Sequence, residues 1–247
     1  MKVYSKTHVG LVREKNEDSM LVCQPNLFAI ADGMGGCAGG EIASSSALNV
    51  FNKFLQRNLQ DEKNVAFALR KTISETNREI YYMANDSQDY KGMGTTLTAV
   101  YLENCHLAHV VQIGDSRLYR YRDKKLLQIT EDQTLVAHLL ETGKISEDEA
   151  KVHPKKNLLL QAIGTERVVQ PEVAKLEIAE NDILLLCSDG LTNMVSDTDI
   201  EKVFQEVKSD AWAENLIELA LKNGGKDNIS LIILTEFGVE DKNGKNN

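Results

Sequence analysis

Apolar positions along the chain follow two periods. Near-continuous apolar runs at 183–187 and 229–234 predict strands buried on both faces, and a shorter run at 27–31 ends in Asp32-Gly33. Residues 96–102 and 106–113 are rich in strand formers. Glu103-Asn104-Cys105 separates them, which predicts a hairpin, and the aromatic stretch 118–121 continues the meander. Helical spacing governs two long segments. Ala43, Ala47, Val50, Phe51, Phe54 and Leu55 form one stripe, and Ala66, Leu69, Ile73, Thr76 and Ile80 form another. Trp212, Leu216, Leu219 and Ala220 mark a third helix, with Gly224-Gly225 as its stop. Residues 136–164, broken by Gly143 and Pro154, read as short helices and loop inserted beside the sheets. Strands clustered with hairpin signals and paired long helices predict an α+β fold. Its antiparallel sheets are covered by helices, unlike an alternating βαβ chain.

Composition adds boundaries. The chain has 247 residues, three prolines and no Ser- or Gly-rich linker, so residues 1–237 read as one domain. The polar segment 238–247 reads as a disordered tail. No apolar run approaches the ~20 residues that span a bilayer, and the first ten residues carry no apolar signal core. The expectation is a cytoplasmic protein with no membrane partner. Its four cysteines form no CxxC pair and are expected to be reduced thiols. A net charge of −9 argues against nonspecific nucleic-acid binding, which needs Lys and Arg on phosphates. No interface motif stands out, and a monomer is the default.

The most informative pattern is the placement of aspartates. Asp32 follows the 27–31 run. Asp115 follows 110–114, Asp189 follows 183–188, Asp227 precedes 229–234, and Asp18 precedes Met20-Leu21-Val22. Taken singly, each is open to a second reading as turn chemistry, which favours Asp and Gly. Taken together, five carboxylates at strand ends can converge on one rim, where they repel each other unless a cation neutralises them. Oxygen-only ligands suit Mg²⁺ or Mn²⁺. The run Asp32-Gly33-Met34-Gly35-Gly36 is open between a flexible loop and close backbone approach. It is no P-loop, because no Gly-Lys-Ser/Thr follows.

In order along the chain stand Gly10-Leu11-Val12-Arg13 with Asn16-Glu17-Asp18; Ala31-Asp32-Gly33-Met34-Gly35-Gly36; and Gly92-Met93-Gly94-Thr95-Thr96. Then come Gly114-Asp115-Ser116-Arg117; Asp132-Gln133-Thr134; Ser188-Asp189-Gly190-Leu191; and Asp227-Asn228-Ile229-Ser230. This series resembles the bacterial metal-dependent protein serine/threonine phosphatases, the PPM or type 2C family. It is most similar to the compact Gram-positive forms that counteract a serine/threonine kinase. The resemblance implies a four-layer αββα sandwich, two antiparallel sheets flanked by helix pairs, with residues 136–164 as a mobile flap. It implies two divalent ions, Mn²⁺ or Mg²⁺, and a third, weaker one. Asp32 would bridge the pair, Asp189 and Asp227 would complete the first site, and the Gly33 carbonyl and Asp18 would serve the second. Asp115 with Asp189 would hold the third ion, and Arg13 would bind phosphate. The implied reaction is hydrolysis of phosphoserine and phosphothreonine in proteins.

Other residues receive plainer expectations. Arg13 has a second reading as a salt bridge to Glu14 or Glu17. Thr95 and Thr96 are expected to hold neighbouring backbone, and Arg117 and Arg120 to brace the fold. Some family members carry a histidine in or after the Asp-Gly loop as a proton donor, whereas this chain has Met34 and Cys37. Gln133 stands where histidine is common in the family, and no role follows for it.

Overall fold

The computed structural model describes residues 1–35, 39–86 and 88–238. Cys37 and nearly all of the polar tail lie outside the described residues. Among the described residues, eleven strands and seven α-helices follow in order. They are β1 (Lys2–His8), β2 (Asp18–Cys23), β3 (Leu27–Met34), α1 (Gly39–Asp61), α2 (Val65–Asp86), β4 (Gly94–Thr95), β5 (Leu97–Asn104) and β6 (Leu107–Ile113). After these come β7 (Arg117–Arg122), β8 (Lys125–Gln128), α3 (Leu135–Glu141), α4 (Glu147–Lys151) and β9 (Glu172–Glu177). The chain ends with β10 (Ile183–Cys187), α5 (Asp189–Thr192), α6 (Asp197–Glu206), α7 (Trp212–Lys222) and β11 (Ile229–Thr235).

One sheet has the order β1-β11-β10-β7-β8. The other runs β2-β3-β5-β6-β9, with β4 joined to β3. Every named pairing is antiparallel.

The apolar runs explain the layering. In a strand, successive side chains face opposite sides. Leu27, Ala29 and Ala31 of β3 pack against Ala43, Ala47, Phe51, Leu69 and Ile73 of α1 and α2. Phe28 and Ile30 of the same strand face the interior between the sheets, with Val100, Val110, Leu184, Leu186, Ile232 and Leu234. On the other side, Leu185, Cys187, Leu231 and Ile233 meet Ile200, Phe204, Trp212 and Leu216 of α6 and α7. Strands apolar on both faces therefore belong to sheets covered on both faces. The result is the four-layer αββα sandwich that the resemblance implied.

The sequence missed β1, β9 and α6. The outer strands β1 and β9 carry mixed burial, without clean alternation. Helix α6 buries only Ile200 and Phe204, too few for a stripe. The segment 136–164 holds α3, α4 and connecting turns, as expected. Its ends are tied down by backbone bonds between Thr95 and Ile163 (3.0 and 2.8 Å) and from Leu135 N to Leu158 O (2.8 Å).

Candidate metal centre

All five aspartates lie at one rim of the sandwich. Antiparallel pairing of β2 with β3 sets Asp18 opposite Asp32. Asp115 sits in the connection from β6 to β7, which passes from one sheet to the other. Asp189 is the first residue of α5, with Ser188 alone between it and β10, and Asp227 stands two positions before the start of β11. The Ser188 hydroxyl joins the two sheet ends, donating to Asp18 Oδ2 at 2.7 Å while its oxygen accepts from Ser230 N at 3.0 Å. A cavity of about 250 Å³ opens there. Its lining includes Arg13, Glu17, Asp32, Gly33, Asp115, Asn157, Leu159, Asp189 and Asp227. A larger groove of about 710 Å³ lies beside α3, but none of the five aspartates lines it.

The strand pattern differs from the turn reading of Asp32-Gly33. Strand β3 continues through both residues to Met34, because β4 pairs Gly33 with Thr95 and Met34 with Gly94. Asp32 is thus held in extended backbone. Its N–H donates to Thr96 Oγ1 at 2.9 Å, and its carbonyl accepts from the Thr95 hydroxyl at 2.9 Å. The expected backbone-holding roles of both threonines are present.

Close approach explains two of the motif glycines. A Cβ on Gly33 would lie 2.0 Å from the Gly40 carbonyl oxygen, so only glycine lets β3 meet the start of α1. A Cβ on Gly190 would lie 1.9 Å from the Asn228 carbonyl oxygen. That contact fixes the Asp189 segment against the Asp227 segment.

The electrostatics are those of crowded like charges. Burial lifts Asp18 to about 7, offset in part by hydrogen bonds from Ser230 and Ser188, with Asp189 and Asp227 adding repulsion. Burial lifts Asp115 to about 8, helped by Asp189 and Asp132. Asp189 rises to about 6 through burial and Asp227. Burial and then Asp18, Asp189, Asp115 and Asp227 hold Asp32 well above the usual carboxylate range. Two buried oxygens, Asp18 Oδ1 and Asp189 Oδ1, have no hydrogen-bond partner. A buried acceptor left in this way is costly, and a cation satisfies it.

As the side chains stand, no three His, Cys, Asp or Glu groups among the described residues form a finished metal-binding set. Some of the carboxylate oxygens are engaged within the chain. Asn193 holds Asp189 Oδ2 at 2.9 Å, and Asp227 is held by Arg13 at Oδ2 and by Asn228 N at Oδ1, both at 2.9 Å. Side-chain rotation away from these partners releases the oxygens for a cation. The donor set is oxygen-only, buried and mutually repulsive, and so fits hard divalent ions.

Arg13 pairs with Asp227, where the sequence offered Glu14 or Glu17 as the alternative. Three further residues escaped the sequence reading. Glu17 lines the cavity. Asn228 binds Glu17 N through Oδ1 at 2.8 Å and the carbonyls of Val9 and Lys15 through Nδ2 at 2.9 and 2.8 Å, which shapes the loop bearing Arg13. Gln133 accepts from Gly114 N at 2.9 Å and so fixes the residue before Asp115. Their only sequence signal was membership of the quoted motifs. Arg117 braces the fold as expected, bound to Asp132 at 2.8 and 2.6 Å. Arg120 is half-buried, and its Nε finds no partner. Cys23, Cys105 and Cys187 are free thiols, and burial pushes Cys187 up to about 12, which leaves it inert.

Two antiparallel sheets between helical layers, with carboxylates gathered where the strands end, define the architecture of the metal-dependent phosphatase class. The sequence model of protein phosphatase 2C matches residues 11–223, and the chain belongs to that family. It is 37% identical over 236 residues to the serine/threonine phosphatase stp of Listeria monocytogenes, covering 93% of each chain. Its fold matches the crystal structure of the Mycobacterium tuberculosis serine/threonine phosphatase PstP/Ppp with a TM-score of 0.84 and 37% identity, over 94% of this chain and 97% of that one. A PstP catalytic domain in complex with two manganese ions matches with a TM-score of 0.82 and 36% identity, over 94% and 96% of the two chains.

Proposed function

We propose that this protein removes phosphate from phosphoserine and phosphothreonine in proteins, reversing serine/threonine kinase signalling as a single-domain cytoplasmic monomer. The observation that carries the reading is the rim where five aspartates gather, Asp32, Asp115, Asp189 and Asp227 lining its cavity and Asp18 buried beside Asp32, with four carboxyls pushed above the usual range and two buried oxygens unpartnered. The two-manganese PstP structure supports a pair of Mn²⁺ or Mg²⁺ ions here. Asp32 would bridge them, Asp189 and Asp227 would hold the first, and Asp18 and the Gly33 carbonyl the second. Asp115 with Asp189 would hold a third, weaker ion. No helix among the described residues is long and apolar enough to cross a membrane, and the acidic charge gives nucleic acid no purchase.

Phosphate monoesters are among the slowest reactions in water, and enzymes accelerate them by up to roughly 10²¹-fold. A single general acid or base supplies only about 10²–10⁴ of this. When bound, the ions would supply an acidified water as the nucleophile and would offset charge on the phosphoryl oxygens. The chain supplies the rest. Arg13 reaches the cavity edge with a planar fork that matches two phosphate oxygens once it leaves Asp227. Thr95 and Thr96 hold the Asp32 backbone, and Asn228 holds the loop that presents Arg13. No histidine lines the described cavity, and Met34 takes no part in proton transfer.

The test is turnover of p-nitrophenyl phosphate and of a phosphothreonine peptide with Mn²⁺, then with EDTA. Activity should vanish with EDTA and fall by roughly 10³-fold or more in Asp32→Ala, a loss of ~4 kcal/mol in transition-state stabilisation. Metal-independent turnover, or full activity in that variant, would sink the proposal.

A further inference from the structure

A second concavity lies on helix α2 and shares no lining residue with the metal centre. It measures about 210 Å³. One wall is a face of α2, where Asn77 and Tyr81, and likewise Arg78 and Tyr82, stand one turn apart. The other wall is Arg167, Val168 and Val169, from the segment that leads from the flap to β9. No carboxylate lines the pocket. The whole chain carries a net charge of −9, so two guanidinium groups lining one cavity reverse the sign locally.

The pocket is built into the fold. Asn77 is buried and spends its amide on the opposite wall. Its oxygen accepts from Gly164 N at 2.9 Å, and its nitrogen donates to the carbonyls of Glu166 and Arg167 at 3.0 and 3.3 Å. Arg70, earlier on the same helix, donates to Pro171 O at 2.9 Å, and Val169 packs into the core with α1 and α2. The backbone that carries Arg167 is thus held on both sides, and a preorganised site binds with little ordering cost. Neither guanidinium of the pocket is neutralised. The exposed Arg167 side chain has no hydrogen bond or ion pair among the described residues. Arg78 meets its chain neighbour Glu79 at 3.9 Å, with both side chains exposed, and such a pair is worth little. Val168 is 77% exposed and Tyr82 48%.

A guanidinium fork matches phosphoryl oxygens, and a phosphorylated side chain offers a charge of about −1.5 to −2 to share between two such forks. A free phosphate ion would use the arginines alone. The valines and tyrosine rings beside them suit the carbon atoms of a residue that carries the phosphate. Resting on the phosphatase reading above for why phosphorylated chains meet this protein, we infer that the α2 pocket binds a phosphoserine or phosphothreonine side chain of a polypeptide, at a site separate from the metal centre. Arg78 and Arg167 take the phosphoryl oxygens, and Val168 and Tyr82 cover the carbon atoms next to them. The pocket holds a phosphorylated protein by a phosphoryl group that is not being cleaved.

The experiment measures binding of a fluorescently labelled phosphothreonine peptide to the full chain in EDTA. Without metal the crowded aspartates repel a phosphoryl group, so the α2 pocket is the site read out. The phosphopeptide should bind at least tenfold more tightly than the same peptide unphosphorylated or with glutamate at that position. Arg78→Ser and, separately, Arg167→Ser should each weaken it by about tenfold, the size of a lost hydrogen bond to a charged group. Melting curves and unchanged Mn²⁺-dependent turnover of p-nitrophenyl phosphate confirm that both variants are intact. Equal binding of the unphosphorylated or glutamate peptide, or unchanged affinity in either arginine variant, would overturn the pocket. Inorganic phosphate that competes at the peptide's own dissociation constant would overturn the polypeptide occupant. A parallel loss of p-nitrophenyl phosphate turnover in Arg167→Ser would also overturn it, because the arginine would then act through Ile163 and its backbone bonds to Thr95. Arginine-dependent phosphopeptide binding in a protein without Mn²⁺-dependent turnover would fail the phosphatase reading and leave the pocket standing.

Discussion

Two charged clusters face one groove of about 460 Å³, and they are opposites. In the first, Arg117 donates to both oxygens of Asp132 and to the Tyr119 hydroxyl at 2.7 Å, and Tyr119 donates onward to Asp197 at 3.0 Å. Gln128 adds a further bond to Asp132 at 3.0 Å. Each charge has a partner of matching geometry. In the second, Asp18, Asp32, Asp115 and Asp189 crowd together, and the cations near them stand at the edges: Arg13 beside Asp227, Arg117 already bound to Asp132, and Lys156 across the groove. The first cluster is complete within the chain and braces β7 against the segment before α3. The second is complete only with something positive added. Paired charge marks a structural role and crowded like charge a functional one, because the latter costs stability that folding alone does not return.

Neutralising one member of each cluster should therefore move the metal-free protein in opposite directions. Asp132→Ala strands a half-buried guanidinium and should cost roughly 2–4 kcal/mol, a drop in Tm of about 10 °C at ~2–4 °C per kcal/mol. Asp32→Asn removes the cost of holding an ionisable carboxyl among buried neighbours and should raise the metal-free Tm by a few degrees. In Mn²⁺ the order changes, since Asp32→Asn should lose the stabilisation that metal gives the unaltered protein. Thermal melts with and without Mn²⁺ decide it. Destabilisation by both substitutions in EDTA would break the distinction.

The acidic cluster should also show in the pH dependence of stability, with a definite sign. In the folded state Asp189, Asp18 and Asp115 lie at about 6, 7 and 8, above the ordinary value of 3.8. Raised folded values mean that the native state holds protons that the unfolded chain has released. The stabilisation is then full below pH ~4 and is lost as pH rises through about 6 to 8. The metal-free Tm should fall over that window. Saturating Mn²⁺ should flatten the fall, because ligands must be deprotonated to bind. A metal-free Tm that rises from pH 5 to 8 would contradict the crowding.

How much of this was legible in the sequence depends on range. Strands β3, β10 and β11 were readable because sheets covered on both faces demand unbroken apolar runs, and α1 and α2 because a buried helix face demands a stripe. Strand β1 was not, since its order comes from pairing with β11, over two hundred positions away. At the site, the aspartates showed as residues at strand ends, and the family resemblance supplied their roles. The extended backbone of Asp32-Gly33 did not show, because it depends on β4, a two-residue strand that no periodicity can reveal. Nor did the Arg13–Asp227 pair, where adjacency in sequence favoured Glu14 and Glu17. Asn228 and Gln133 act through backbone groups of distant loops, and nothing in their own sequence neighbourhood points there.

The smallest expected effect tests the boundary between bracing and chemistry within one strand region. Thr96 and Thr98 are both buried and both hydrogen-bonded to Ser116, Thr96 to its hydroxyl at 2.7 Å and Thr98 to its carbonyl at 2.7 Å. Only Thr96 also accepts from Asp32 N. Valine at either position keeps the shape and removes the hydroxyl, so each should cost about 1–3 kcal/mol of stability from polar groups left unpaired. The difference should lie in metal affinity. Thr96→Val frees the backbone under Asp32 and should weaken Mn²⁺ binding by roughly tenfold, in the range for lost support of a ligand. Thr98→Val should leave it within about twofold. Calorimetric titration of Mn²⁺ into both variants separates the cases, and equal affinities would mean that Asp32 is held by its strand pairing and not by the threonine.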